Sequence, residues 1–250
     1  RWAHAVGVTY VASAEYLHHP ERVTVTGNPV RPAVLTASRA RGRAAFGLPD
    51  DGLVLLVFGG SRGARHINSA VVALRDRLLV LGNLYVVQVA GRTEAGDVRS
   101  DLAARGGDGD GRWLVLDYVE EMGSLIAAAD LVLARAGATS IAEITALGRP
   151  MLLVPYPYAT DDHQTRNAAE VVGAGAGVLV QDRDLDSPLL AEELLRLLGD
   201  SDVRDTMSAA SRALGRPDAA RCVAALVREA SGGRRPGHAP RCDNPPEDLT

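Results

Sequence analysis

Short, continuous apolar runs alternate along most of this chain with longer segments in which apolar residues recur at helical spacing. The first of these runs lie at Leu53–Phe58, Leu84–Ala90 and Trp113–Leu116. Strands that are apolar throughout are typical of a parallel sheet buried on both faces, with helices as the crossover connections. The pattern therefore predicts an α/β fold, a doubly wound, Rossmann-like parallel sheet over residues 51–230.

The alternation continues through the second half of this domain and then gives way to helices. We expect further strands at Leu131–Leu133, Met151–Val154 and Val178–Gln181, and late helices beginning near Ser187, Asp202 and Ala219.

The two ends of the chain have a different character from the central domain. Residues 1–31 predict a short helix and strands at Val8–Ser13 and Val23–Thr26, which we interpret as the remnant of a preceding domain. The Pro-, Ala- and Arg-rich residues 32–50 predict an interdomain linker, and the Gly/Pro-rich residues 231–250 a disordered tail. Because the chain starts with Arg and not Met, we expect it to be N-terminally truncated.

The stretch Ala134–Asn167 carries the most chemical information. Its small-residue turn, which includes Gly137, leads from a strand into a helix, and this leaves backbone N–H groups free to bind an anion. Glu143 lies further along that helix, where its carboxylate can reach the sugar hydroxyls of a nucleotide. The alternative is a carboxylate that only stabilises the helix N-terminus. The stretch indicates a nucleotide-sugar cradle.

A second glycine-rich turn, Gly59–Gly63, also joins a strand to a helix. Its glycines, Gly60 among them, permit close approach of a phosphate, and Ser61 adds a hydroxyl. A turn of this kind also suits any doubly wound sheet without a ligand. It lacks the G-x-G-x-x-G spacing and the G-K-[ST] ending, which disfavours a dehydrogenase and an NTPase.

Three polar positions have both a functional and a structural interpretation. Arg31, after Asn28-Pro29, is either a surface residue or a group that pairs with phosphate or stacks on a base. His163 and Gln164 follow two aspartates at the start of a helix. They fit a general base, a clamp on sugar hydroxyls, or a helix cap.

Composition narrows the class of protein further. The net charge of −4 gives no basic footprint, which argues against nucleic acid as a partner. Two cysteines and scattered histidines form no disulfide framework and no metal-ligand spacing, so a reducing, cytoplasmic compartment is expected. No apolar run approaches the ~18 residues of a transmembrane helix.

Four motifs occur in a fixed order: Gly27–Arg31 (GNPVR), Phe58–Asn68 (FGGSRGARHIN), Arg135–Glu143 (RAGATSIAE) and Pro155–Ala168. Together they resemble the MurG family of peptidoglycan glycosyltransferases, within glycosyltransferase family 28, over about residues 1–230. The resemblance implies a GT-B fold. It also implies transfer of N-acetylglucosamine from UDP-GlcNAc to lipid I, giving lipid II, with inversion and without a metal or cofactor.

The resemblance also implies a role for each residue of a donor site. Arg31 would contact the nucleotide, Val119 would offer backbone groups to uracil, and Glu143 would hold the ribose hydroxyls. Gln164 would hold hydroxyls of the GlcNAc ring. The other implied members of the site are Gly60, Ser61, Ala138, Thr139, Ser140, His163 and Asn167.

The acceptor half of the reaction is expected outside this sequence. The resemblance implies that an N-terminal domain supplies the general base, the lipid I site and the contact with the cytoplasmic face of the membrane. We therefore expect this chain alone to bind UDP-GlcNAc weakly and to turn over little or no lipid I. Two alternatives remain open: another GT-B enzyme that glycosylates a glycolipid or natural product, and a non-catalytic nucleotide-sugar-binding module.

Overall fold

A six-stranded parallel sheet forms the centre of the molecule, with the strand order β5-β4-β3-β6-β7-β8. The computed structural model describes residues 3–59 and 65–231. A separate, two-stranded parallel sheet joins β1 to β2. The strands are β1 (Val6–Val8), β2 (Val23–Val25), β3 (Leu53–Phe58), β4 (Leu84–Val89), β5 (Trp113–Leu116), β6 (Leu131–Arg135), β7 (Met151–Val154) and β8 (Gly177–Leu179).

Helices cover both faces of the six-stranded sheet. Within the two described ranges, no helix is long and apolar enough to cross a membrane. The helices are α1 (Pro32–Leu35), α2 (Arg39–Ala45), α3 (Arg65–Ala73), α4 (Arg75–Leu79), α5 (Ala95–Ala104), α6 (Met122–Ala128), α7 (Ala138–Ala146), α8 (His163–Gly173), α9 (Pro188–Gly199), α10 (Ser201–Leu214) and α11 (Ala219–Ser231).

Side chains of the central strands alternate between two apolar cores. In β6, Leu131 and Leu133 join the core under α3, α5 and α9, whereas Val132 and Ala134 join the core under α6, α7 and α8. All four are buried, as expected where both faces of a parallel sheet are covered. The α/β, doubly wound fold predicted from the apolar runs is confirmed.

The N-terminal prediction needs a correction. The expected strand Val8–Ser13 is wrong, because β1 ends at Val8 and a 3-10 helix occupies Val11–Tyr16. Residues 3–5 form no helix, and residues 1–2 lie outside the described part of the chain. Of the predicted tail, Ser231 ends α11 and the remaining residues are not described.

Residues 32–50, predicted as a linker, contain two helices that pack on the central domain. Glycine makes this contact close: a Cβ on Gly42 of α2 would lie 2.1 Å from the carbonyl oxygen of Ser124 in α6. The side chain of Arg43 is almost fully buried in the same contact. A role of this segment in joining two domains stays a prediction.

The Gly42 contact gives a stability prediction. Gly42→Ala should lower the free energy of unfolding by about 1–3 kcal/mol, because the backbone of α6 must move away from the added methyl group. Gly96→Ala is the matched control, since nothing lies within 4 Å of a Cβ at that position of α5. The control should gain about 0.5–1 kcal/mol from helix propensity. Urea unfolding of both variants measures these free energies. Equal changes in Gly42→Ala and Gly96→Ala would contradict the close contact between α2 and α6.

Candidate functional site

The strand order places a topological switch point between β3 and β6. From β3 the chain proceeds outward to β4 and β5, and from β6 it proceeds the other way to β7 and β8. In open α/β sheets, ligands bind in the crevice that this reversal opens at the carboxyl ends of the strands. The turn from β6 into α7 lies at that crevice, and Gly59 follows β3 at the same edge of the sheet.

The turn after β6 presents a helix N-terminus to the crevice. Gly137 precedes α7 in an extended conformation and, because it has no side chain, leaves the first amides of the helix uncapped. The first amides of a helix have no partner within the helix. Those of Ala138, Thr139 and Ser140 begin α7, and their binding of an anion stays a prediction.

Glu143 lies on the same helix, and its side chain is only 9% exposed. Its Oε1 accepts hydrogen bonds from Nε and Nη2 of Arg31 at 3.2 and 3.1 Å. Among the described residues, no donor bonds to Oε2. Asn28 lies beside this pair and donates to the Thr139 hydroxyl at 3.5 Å. The structure thus brings the GNPVR segment to the start of α7, although the two are more than a hundred residues apart in sequence.

The loop between β7 and α8 supplies the next group of predicted residues. Gln164 accepts a hydrogen bond from the backbone N–H of Tyr156 through Oε1 at 2.9 Å. Asn167 donates to the carbonyl oxygen of Ala136 at 3.1 Å, which ties α8 to the turn before α7. His163 is exposed, and its Nδ1 lies 2.6 Å from the carbonyl oxygen of Thr160.

Val119 lies further along the same edge of the sheet. It follows β5, three strand spacings from β6, which is about 14 Å. Its neighbour Tyr118 is exposed and faces the guanidinium of Arg92 at 4.7 Å. Gly60 and Ser61 lie outside the described residues, so their predicted roles are not tested.

A small cleft borders this site on the side of the N-terminal segment. It is lined by residues that include Tyr10, Asn28 and Arg216. Burial, together with the charge of Glu170, raises the pKa of Tyr10 to about 12, so its phenol is protonated at neutral pH. Within the described ranges, no group of three or more His, Cys, Asp or Glu side chains is placed to hold a metal ion.

The sequence prediction missed one group of charged residues at this edge. Arg135, the last residue of β6, pairs with Asp182 at 2.5 Å, and Asp182 contacts His66 at 2.8 Å. These residues are distant in sequence, and no local pattern joins them.

These features define a Rossmann-like domain with a crevice at the carboxyl ends of its strands, the architecture of the donor-binding half of GT-B glycosyltransferases. Comparison with known proteins gives the family. Residues 54–223 match the model of the glycosyltransferase family 28 C-terminal domain. The chain therefore belongs to glycosyltransferase family 28.

Curated relatives carry one shared name, UDP-N-acetylglucosamine--N-acetylmuramyl-(pentapeptide) pyrophosphoryl-undecaprenol N-acetylglucosamine transferase. That of Salinibacter ruber is 44% identical over 204 residues, which cover 82% of this chain and 54% of the relative. That of Chlorobaculum parvum is 42% identical and covers 91% of this chain and 60% of the relative. The chain therefore spans less than two thirds of the length of either relative.

The crystal structure of Acinetobacter baumannii MurG is also similar. It superposes with a TM-score of 0.65 at 25% identity, over 84% of this chain and 58% of that one. The comparison supports the expected GT-B architecture.

Proposed function

We propose that this chain carries the donor-binding half of an inverting, UDP-GlcNAc-dependent glycosyltransferase. The full reaction would transfer N-acetylglucosamine to the 4-hydroxyl of the muramoyl residue of lipid I, giving lipid II. Support for the substrates comes from the relatives' printed name and from the 44% identity with the Salinibacter ruber protein. We also propose lipid I and the cytoplasmic face of the membrane as partners of the complete enzyme.

The observation that carries the proposal is the placement of Glu143 beside the first turn of α7. A diphosphate at the N-terminus of α7 would accept hydrogen bonds from its free amides and interact favourably with the helix dipole. The ribose of the same nucleotide would then come within reach of Glu143, whose Oε2 accepts no bond from any described residue. A nearly buried carboxylate with one open oxygen is well suited to bind two neighbouring hydroxyls.

The chemistry that this arrangement supports is stabilisation of a leaving group. When the acceptor oxygen attacks the anomeric carbon, the bond from that carbon to the UDP oxygen breaks and negative charge develops on the diphosphate. Preorganised amides at a helix N-terminus stabilise such charge without reorganisation. Direct displacement inverts the anomeric centre.

A donor screen tests the proposed function. We expect the 250-residue chain to bind UDP-GlcNAc measurably more tightly than UDP-galactose or a TDP-sugar in calorimetric titrations. In a parallel assay, it should turn over little or no lipid I. Preference for another sugar nucleotide would favour a different GT-B enzyme. Rapid lipid II formation by this chain would contradict the proposal that the acceptor site and the general base lie outside it.

A further inference from the structure

A row of charged side chains crosses the sheet edge next to the donor crevice. His66 in the first turn of α3 contacts Oδ2 of Asp182 through Nδ1 at 2.8 Å. Oδ1 of Asp182 lies 2.5 Å from Nη1 of Arg135. The row therefore links the helix after the first glycine turn to the strand before the second.

Both ring nitrogens of His66 face carboxylates. Nε2 lies 3.1 Å from Oδ2 of Asp186, opposite the contact with Asp182. An ionised carboxylate only accepts hydrogen bonds, so both contacts are hydrogen bonds only when both nitrogens carry a proton. Hydrogen bonds with Asp182 and, to a smaller extent, Asp186 raise the pKa of His66, although burial opposes this.

Arg135 depends on this row for its counter-charge. Its side chain is 8% exposed, and Asp182 is the one carboxylate that it contacts among the described residues. Its Nη1 also donates to the carbonyl oxygens of Val154 and Pro155 at 3.4 and 3.2 Å. A guanidinium buried in this way requires a paired carboxylate nearby.

The position of Arg135 connects the row to the proposed donor site. The guanidinium lies 5.5 Å from the ring of Tyr156, and the backbone N–H of Tyr156 donates to Gln164. Arg135 itself stands two residues before Gly137, where α7 is about to begin. Arg135 therefore joins the end of β6, to which its backbone belongs, to the end of β7, whose carbonyl oxygens its guanidinium contacts.

We infer that the imidazolium of His66 is a positioning group for the sugar-nucleotide donor. It holds Asp182 against Arg135, and Arg135 fixes the ends of β6 and β7 so that the α7 amides and Gln164 converge on one ligand. The inference rests on the proposed function, because it assumes that the ligand is UDP-GlcNAc. His66 acts through Asp182 and Arg135 and needs no contact with the substrate.

The direction of the pH effect follows from the raised pKa of His66. A group whose pKa is raised by its folded-state partners makes its contribution at low pH and loses it as the pH rises through that pKa. The charged groups that face His66 are Asp182 and Asp186, with Arg135 behind Asp182, and the neighbouring Arg65 pairs with Glu94 at 3.7 Å. Carboxylates and guanidinium groups generally titrate far from neutral pH. The imidazole is therefore the group that changes charge in this window.

The test is a pH series of UDP-GlcNAc binding to the 250-residue chain, measured by calorimetry between about pH 6 and pH 8.5. The ligand used in the titrations is UDP-GlcNAc and not UDP, because the diphosphate of UDP-GlcNAc is esterified at both ends and does not titrate in this pH range. The parent is the unmodified chain, and His163→Gln is compared with it separately to identify any contribution from the second imidazole near the site. The variants compared are His66→Gln, His66→Arg and, as a control on an exposed histidine, His18→Gln.

We expect the affinity of the parent to fall about threefold to tenfold across the series. His66→Gln should bind as weakly at low pH as the parent does at high pH. His66→Arg keeps a positive charge throughout and should bind more tightly than the parent at the alkaline end. His18→Gln should follow the parent.

An unchanged pH profile in His66→Gln would overturn the inference and leave the proposed function intact. Absence of UDP-GlcNAc binding by the parent at every pH would instead overturn the proposed function itself. A second measurement does not depend on folding of the His66 variants. The imidazole of His66 in the parent, followed by NMR, should titrate above the ordinary histidine pKa, and Asp186→Asn should lower that value. An ordinary pKa in the parent would overturn the inference.

Discussion

Replacing Asp130 by alanine should destabilise the chain by about 3–5 kcal/mol, the largest stability loss that we expect from a single carboxylate. Its Oδ1 accepts from Arg39 at 2.6 Å, and its Oδ2 accepts from Arg43 at 2.8 Å and from the backbone N–H of Val54 at 2.7 Å. The side chain of Arg43 is 1% exposed, so loss of the carboxylate leaves a buried cation without its charge partner.

Urea unfolding of Asp130→Ala measures this loss, with Asp76→Ala as the matched control. Asp76 also pairs with an arginine, but its side chain is 80% exposed, so its removal should cost less than about 1 kcal/mol. A loss below 1 kcal/mol in Asp130→Ala would show that α2 is held by packing alone. The contact matters for the site because Asp130 holds α2 in place, and α1 is the one helix between α2 and Arg31.

Replacing Glu143 by alanine should weaken UDP-GlcNAc binding by about 2–3 kcal/mol, roughly 30- to 150-fold in Kd. The reason is that a charge-assisted hydrogen bond to the ribose hydroxyls disappears from a site that is largely shielded from water. The effect on folding should be small, since the partner Arg31 is 60% exposed. Isothermal titration measures the Kd, and thermal unfolding monitors the fold.

Two further variants make the Glu143 result specific. Glu143→Gln keeps the shape and an acceptor oxygen but loses the charge, so it should fall between the parent and Glu143→Ala. Glu192→Ala removes an exposed carboxylate from α9 and should leave the Kd unchanged. If Glu143→Ala bound UDP-GlcNAc as tightly as the parent, the carboxylate would only stabilise the N-terminal half of its own helix and would have no role in donor binding.

The central sheet could be predicted because its strands are continuous apolar runs. Trp113–Leu116 and Met151–Val154 were expected at the residues where they occur. The strand expected at Val8–Ser13 failed for a physical reason. β2 offers three partner residues, which pair with Val6 to Val8, and a strand ends where its neighbour stops supplying hydrogen bonds.

The candidate site also has parts that local pattern predicts and parts that it does not. The start of α7 and the position of Glu143 on that helix could be predicted, since both lie within one strand–turn–helix unit. The contact of Arg31 with Glu143 depends on tertiary folding, and the sequence indicated only that each had a role. His66 and Asp182 are 116 residues apart, and Asp182 lies in no motif, so their contact had no signal in the sequence.

A crystal structure of this chain with UDP-GlcNAc would test the central claim most directly. We expect the diphosphate to lie against the amides of Ala138, Thr139 and Ser140, with a ribose hydroxyl within hydrogen-bonding distance of Oε2 of Glu143. A sugar nucleotide bound elsewhere, for example in the cleft beside Tyr10 and Arg216, would contradict the claim that the β6–α7 turn is the donor site.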